Sequence, residues 1–164
     1  MTQEALATRT PFVIEWRNGF KINIHQVDEE HQHLFALVKA LNLDSVEQTV
    51  EELLDYVVVH FSNEQALMEK SGYPAFEQHL KLHEDFAAQV ADFLGNGEPW
   101  TEDRVQELRR FLNKWLIGHI MTHDLRFGKW YAEHPIQVAA RMQANAMQEP
   151  KAHRGFFSKL FGMK

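Results

Sequence analysis

Residues 60–83 read HFSNEQALMEKSGYPAFEQHLKLH, and they decide the fold. His60 and Glu64 are four positions apart, and so are His79 and His83. On an α-helix, residues i and i+4 stand about 40° apart around the axis and about 6 Å apart along it, so both members of a pair can reach one point. Between the pairs, Ser71-Gly72-Tyr73-Pro74 joins a glycine stop to a proline at a new helix start. The stretch therefore predicts two consecutive helices, each with a pair of metal-ligand type close to the turn between them.

Working back toward the N-terminus, Leu53, Leu54, Val57, Phe61, Leu67 and Met68 form an apolar stripe that His60 and Glu64 share. Asn42–Ser45 is a short connection, with Ser45 or Asp44 available as a cap. Before it, Asp28 is an N-cap candidate, with Glu29 and Glu30 in the first turn. Leu34, Phe35, Val38 and Leu41 continue that helix; His31 extends the stripe and His33 faces away. Residues 12–28 carry Phe12, Val13, Ile14, Trp16, Phe20, Ile22 and Ile24 around an Asn18-Gly19 turn, too apolar for a free tail. Working forward, Phe76, Leu80, Phe86, Val90 and Phe93 accompany His79 and His83 as far as the loop Gly95-Asn96-Gly97-Glu98-Pro99. Thr101 then caps a fourth helix, whose Val105, Leu108, Leu112 and Trp115 lead to His119 and Asp124.

Four amphipathic helices joined by short loops predict an all-α, up-down-up-down four-helix bundle, with an N-terminal arm and a C-terminal tail. His31 comes early in its helix, His60 and Glu64 late, His79 and His83 early, and His119 and Asp124 late. On alternating directions that order gathers all seven at one end. Nitrogen and carboxylate ligands projecting inward from several helices are how bundles hold two metal ions. A single core histidine is more often simply hydrogen-bonded, so the weight lies on the full set. His119 and His123 are themselves i, i+4, and a rival site would use His123 and leave Asp124 outside.

The 164 residues are most simply one domain with some excess, and 45% are hydrophobic, enough for a buried core. With no cysteine, disulfides, Cys–zinc sites, thiolate nucleophiles and cysteine-held iron–sulfur clusters are excluded. Met1–Pro11 is polar without an apolar h-region, and no stretch approaches the roughly 18 apolar residues of a membrane span. A cytoplasmic protein is expected. The net charge of −6 argues against general nucleic-acid binding.

The chain resembles the hemerythrins, and more closely their bacterial members. The resemblance covers roughly residues 12–132. It rests on Val27-Asp28-Glu29-Glu30-His31, on His60-Phe61-Ser62-Asn63-Glu64, on Gly72-Tyr73-Pro74 followed by His79-x-x-x-His83, and on His119-Ile120-x-x-x-Asp124. Its implications are these. His79, His83 and His119 hold one iron, and His31 and His60 the other. Glu64 and Asp124 bridge the two ions, with a solvent-derived oxo or hydroxo group as third bridge. The two-histidine iron keeps an open position, where dioxygen binds. Leu34, Phe61, Trp115, Leu116 and Ile120 line an apolar pocket over it. Imidazole and carboxylate suit iron, and an open position is where a small ligand goes. His123 stands where an apolar or small residue is expected, and could act as an outer partner of a ligand.

The function implied is an oxygen carrier, store or sensor rather than an enzyme. Two alternatives are a di-iron oxidase, peroxidase or nitric-oxide-handling enzyme, and an iron storage or delivery protein. The ligand set favours the first reading. It is rich in histidine, has only two carboxylates, and contains none of the Glu-x-x-His pairs of the ferritin-like proteins.

The bundle domain is expected over residues 1–134, with core helices about 28–132, and a separate extension over 135–164. In that extension Val138, Met142, Ala146 and Met147 suggest one more amphipathic helix. Residues 151–164 carry four basic side chains and no acid, whereas the remaining 150 residues carry 13 basic and 23 acidic ones. Gly155-Phe156-Phe157-Ser158-Lys159-Leu160-Phe161 is basic and aromatic, suited to a membrane surface or a protein partner's groove. His25, His33, His134 and His153 are expected at the surface.

Overall fold

The structure is a computed structural model that describes residues 13–147; the basic aromatic segment 151–164 lies outside the described residues. Its helices are α1 (His25–Lys39), α2 (Val46–Ser71), α3 (Phe76–Gly95), α4 (Glu102–His119), α5 (Leu125–Glu133) and α6 (Pro135–Asn145). A single π-helical turn, Ile120–Asp124, joins α4 to α5. Helices α1 to α4 form the expected up-down-up-down bundle, in which α1 packs on α2 and α4, and α2 packs on α3. The apolar stripes meet in one core, whose largest fully buried side chains include Phe35, Phe61 and Phe127.

Helix α1 begins three residues earlier than expected, and Asp28 is not its N-cap. The buried Asp28 carboxylate instead accepts the backbone N–H groups of Ile22 at 2.8 Å and Asn23 at 3.1 Å. It thereby holds the arm that enters the helix, including Asn23 at φ +65°. Phe20 stacks on Phe35 at 5.3 Å, and Trp16 meets both rings, so the arm is part of the core. The Ile22 carbonyl lies so close to Gly128 on α5 that a Cβ there would be 2.3 Å from its oxygen.

The helix termini follow local chemistry. The Asn42 side chain, rather than Ser45 or Asp44, caps the turn before α2 by accepting the Ser45 N–H. Helix α2 ends in a Schellman arrangement, with Gly72 at φ +76° and the Tyr73 N–H donating to the Met68 carbonyl at 3.0 Å. Pro74 sits in the turn before α3 rather than in its first turn. Thr101 Oγ1 caps α4 by accepting the Arg104 N–H at 3.1 Å.

At the loop end of α4, two buried arginines act as clasps. Arg104 donates to the Phe93 carbonyl and to Asn96 Oδ1, both at 2.9 Å, and lies over the Trp100 ring. Arg109 donates to the Leu41 carbonyl. Helix α6 turns back onto α2: Val138 is buried, Arg141 covers Gly72, and Asn145 Nδ2 donates to the Lys70 carbonyl at 2.9 Å. Met147 is exposed, so the expected amphipathic face of that helix stops short of it. No described helix is long and apolar enough to cross a membrane.

Candidate metal centre

His31, His60, Glu64, His79, His83, His119 and Asp124 all lie at one end of the bundle and are all buried. Two groups of ligand atoms converge there, each within 4.8 Å of one another: Glu64, His79, His83, His119 and Asp124 in one, and His31, His60 and Glu64 in the other. In the first group, His119 Nε2 lies 3.1 Å from both His79 Nε2 and His83 Nε2. Glu64 Oε2 lies 3.1 Å from His83 Nε2 and 3.3 Å from His79 Nε2. Asp124 divides its oxygens: Oδ1 is 3.0 Å from His119 Nε2 and 3.1 Å from His79 Nε2, while Oδ2 is 3.0 Å from His31 Nε2.

The π-helical turn makes this possible. His119 and Asp124 are i, i+5, which on an unbroken α-helix would set them about 140° apart. Across residues 120–124 the helix is underwound, one extra residue being taken into the turn, and the Leu125 N–H donates to the Ile120 carbonyl, five residues back. Asp124 therefore returns to the side occupied by His119. His123 is displaced outward and half-buried, its ring 5.5 Å from His119 and 6.4 Å from His79. The structure thus brings Asp124, and not His123, into the cluster.

The donor atoms suit a cation. Both oxygens of Glu64, both oxygens of Asp124 and both nitrogens of His31 are buried without a hydrogen-bond partner. The 3.0 Å approach of His31 to Asp124 is close but is not a hydrogen bond. Buried carboxylates left in that state are costly, and a bound positive ion removes the cost. Without an ion, protons stand in for it. Burial disfavours the charged form of His79, but the Asp124 and Glu64 carboxylates outweigh it and lift His79 to about 10. Burial instead drives His83 down to about 3, helped by His119 and His79 and opposed by Glu64. Burial and Asp124 push Glu64 up, yet the close approach of the His79 and His83 imidazoles holds it below the usual carboxylate range. Asp124 is likewise held well below that range, burial being overcome by His119, His31 and His79.

Leu34, Phe61, Leu116 and Ile120 are buried, each within one helical turn in sequence of a cluster histidine, and Trp115 is half-buried. Phe61 stacks on the His83 ring and Trp115 on the His119 ring, the latter at 4.3 Å and 13°. Trp115, His119 and His123 also line an outer cleft of about 410 Å³ between α3 and α4, with Leu82, Gln89, Phe111, Lys114 and Gly118. Of the other histidines, His25 and His33 are exposed, His134 is half-buried with its ring on the Trp130 carbonyl, and His153 lies outside the described residues.

Sequence reasoning missed three residues. Glu30, read as a first-turn acid, is buried, with Oε1 3.3 Å from His60 Nδ1 and Oε2 accepting from Asn63 Nδ2 at 2.8 Å. The buried Gln65 amide reaches His83 Nδ1 at 3.0 Å, while its Oε1 has no partner. A half-turn of that amide would let Oε1 accept an Nδ1 proton. Each of the three is the immediate neighbour of His31 or Glu64, and that adjacency was the available signal.

The sequence model of the family described as "Hemerythrin HHE cation binding domain" matches residues 23–131. The chain belongs to this family. This hemerythrin-family chain is 29% identical over 139 residues to the bacteriohemerythrin of Stenotrophomonas maltophilia strain R551-3, covering 80% of the chain and 90% of that relative. It is 32% identical over 123 residues to the hemerythrin-like protein of Naegleria gruberi, covering 74% of the chain and 97% of that relative. It is 29% identical over 116 residues to the bacteriohemerythrin of Methylococcus capsulatus, with 66% and 88% covered. The family match includes every residue of the hemerythrin-type cluster, from His31 to Asp124.

Proposed function

We propose that the chain binds dioxygen reversibly at a non-haem di-iron centre, as an oxygen carrier, store or sensor. His79, His83 and His119 would hold one iron, His31 and His60 would hold the other, and Glu64 and Asp124 would offer carboxylate oxygens to both. The observation that carries this reading is Asp124: its two buried oxygens face different histidine groups, as a carboxylate shared by two ions requires. Glu64, common to both convergent groups, supports it from the other side.

Two ferrous ions, when bound, supply the two electrons that dioxygen takes up and returns. The chain does the rest. With three imidazoles on one side and two on the other, the second group would offer its ion fewer protein donors, which is where a small ligand would find room. Leu34, Phe61, Leu116 and Ile120, all buried, keep water from that end of the bundle. Phe61 and Trp115 hold the His83 and His119 rings in plane by stacking. Burial disfavours a charge on His123, with His119 and His79 adding to the effect. A buried, apolar surround favours return of dioxygen over its consumption.

The deciding experiment is anaerobic reduction of the iron-loaded protein followed by oxygen titration under visible absorption. Full recovery of the spectrum over repeated cycles is expected. Irreversible decay with product release would identify an oxidase or peroxidase instead. Fewer than two irons per chain on metal analysis would remove the di-iron centre itself.

A further inference from the structure

We propose that Glu30 is a positioning residue for the two-histidine half of the centre, its carboxylate compensating for the imidazole which that half lacks. The inference rests on the reading of His31 and His60 as ligands of the second iron. Glu30 lies on α1 next to His31, and both residues it grips, His60 and Asn63, lie one turn apart on α2. Its buried carboxylate takes His60 Nδ1 on one oxygen, at 3.3 Å, and Asn63 Nδ2 on the other, at 2.8 Å. One side chain thus straps together the two helices that present His31 and His60.

The strap has a chemical consequence. With the Nδ1–H of His60 donated to Glu30, Nε2 keeps its lone pair for the site. A carboxylate on the far nitrogen also makes an imidazole a stronger donor to a metal. In the three-histidine half, the side chain that reaches His83 Nδ1 is the neutral amide of Gln65, at 3.0 Å. The anionic support therefore falls on the half with fewer histidines. Asn63 holds the second oxygen of Glu30, so the carboxylate cannot swing away from the ring.

The test uses the full-length protein loaded with ferrous iron and challenged with a chelator under argon, comparing Glu30→Gln, Glu30→Ala and Asn63→Ala with wild type. Gln is close in shape to Glu and still accepts a hydrogen bond, but has no charge. Both Glu30 variants are expected to release one of the two irons about ten-fold faster or more, leaving the other unchanged. Asn63→Ala should act in the same direction and more weakly. Nitrogen-15 NMR of the metal-free chain should show His60 protonated at Nδ1 in wild type and Glu30→Gln, with that preference lost in Glu30→Ala. Equal acceleration of both irons would reduce Glu30 to a structural residue. Wild-type release from Glu30→Gln would remove the role of charge. If Glu30→Ala does not fold, Glu30→Gln and Asn63→Ala carry the same test. Fewer than two irons in wild type would be a failure of the di-iron reading, and the His60 spectrum would still decide whether Glu30 orients the ring.

Discussion

The Phe61 ring lies flat on the His83 imidazole, with centroids 3.7 Å apart and planes within 3° of parallel. Phe61 is also among the largest fully buried side chains, so one residue serves both core and site. Phe61→Ala should cost about 3–5 kcal/mol of stability, the range for removing a buried aromatic ring. Urea denaturation measures it, and a loss below about 1 kcal/mol would show that the ring is not supporting the core.

Glu64 belongs to both convergent groups, whereas each histidine belongs to one. Glu64→Ala should leave fewer than one iron per chain, while His31→Ala or His60→Ala should retain about one. Loss of a bridging anion leaves two positive ions less shielded from each other. Metal analysis after purification separates the cases; equal iron in Glu64→Ala and wild type refutes the bridge.

Leu116 is buried, while Trp115 lies half-exposed along the outer cleft. Leu116→Ala should cost about 2–5 kcal/mol and, by admitting water, shorten the number of oxygenation cycles the protein survives several-fold. Trp115→Ala should act on the cycles by loosening His119. Unchanged cycling at full iron content would make both plain packing residues.

Metal and protons compete for His79, which in the metal-free chain stays charged up to about 10 because Asp124 and Glu64 outweigh its burial. Metal uptake at neutral pH must therefore expel that proton. Affinity should rise with pH, by about ten-fold per unit for one proton, and level off near the His79 value. Calorimetric titration in buffers of different ionisation heat counts the released protons. Uptake without proton release would overturn the competition.

Two helical glycines should respond with opposite signs. A Cβ at Gly118 meets nothing within 4 Å, so Gly118→Ala should stabilise the chain by about 0.5–1 kcal/mol through helix propensity. At Gly128 the same Cβ would strike the Ile22 carbonyl and side chain, so Gly128→Ala should destabilise by about 1–3 kcal/mol. Thermal melts of the two variants decide both.

Much of this was legible in the chain. The bundle follows from stripes such as Leu53, Val57, Phe61 and Met68, because burial of one helical face repeats every 3.6 residues. The convergence of the seven site residues follows from their alternation early and late along successive helices. The start of α1 was misplaced because Asp28 looks like a cap in one dimension, while in space it serves the arm before it. Spacing alone left His123 as a rival to Asp124, which the resemblance favoured, because i, i+4 is the α-helical rule and the chain breaks it locally. Glu30 was read only as a first-turn acid because its partners, His60 and Asn63, are 30 and 33 positions away and belong to another helix.

The π-helical turn at Ile120–Asp124 has a consequence for how this chain tolerates insertions and deletions. The extra residue turns Asp124 toward the histidines and, in the same stroke, sets the phase of everything after it, including Gly128 under Ile22. Removing one residue there would rotate the downstream helix by about 100° and spoil the carboxylate and the docking of the arm together. Substitutions in that turn can be compensated one at a time, but a change of length cannot.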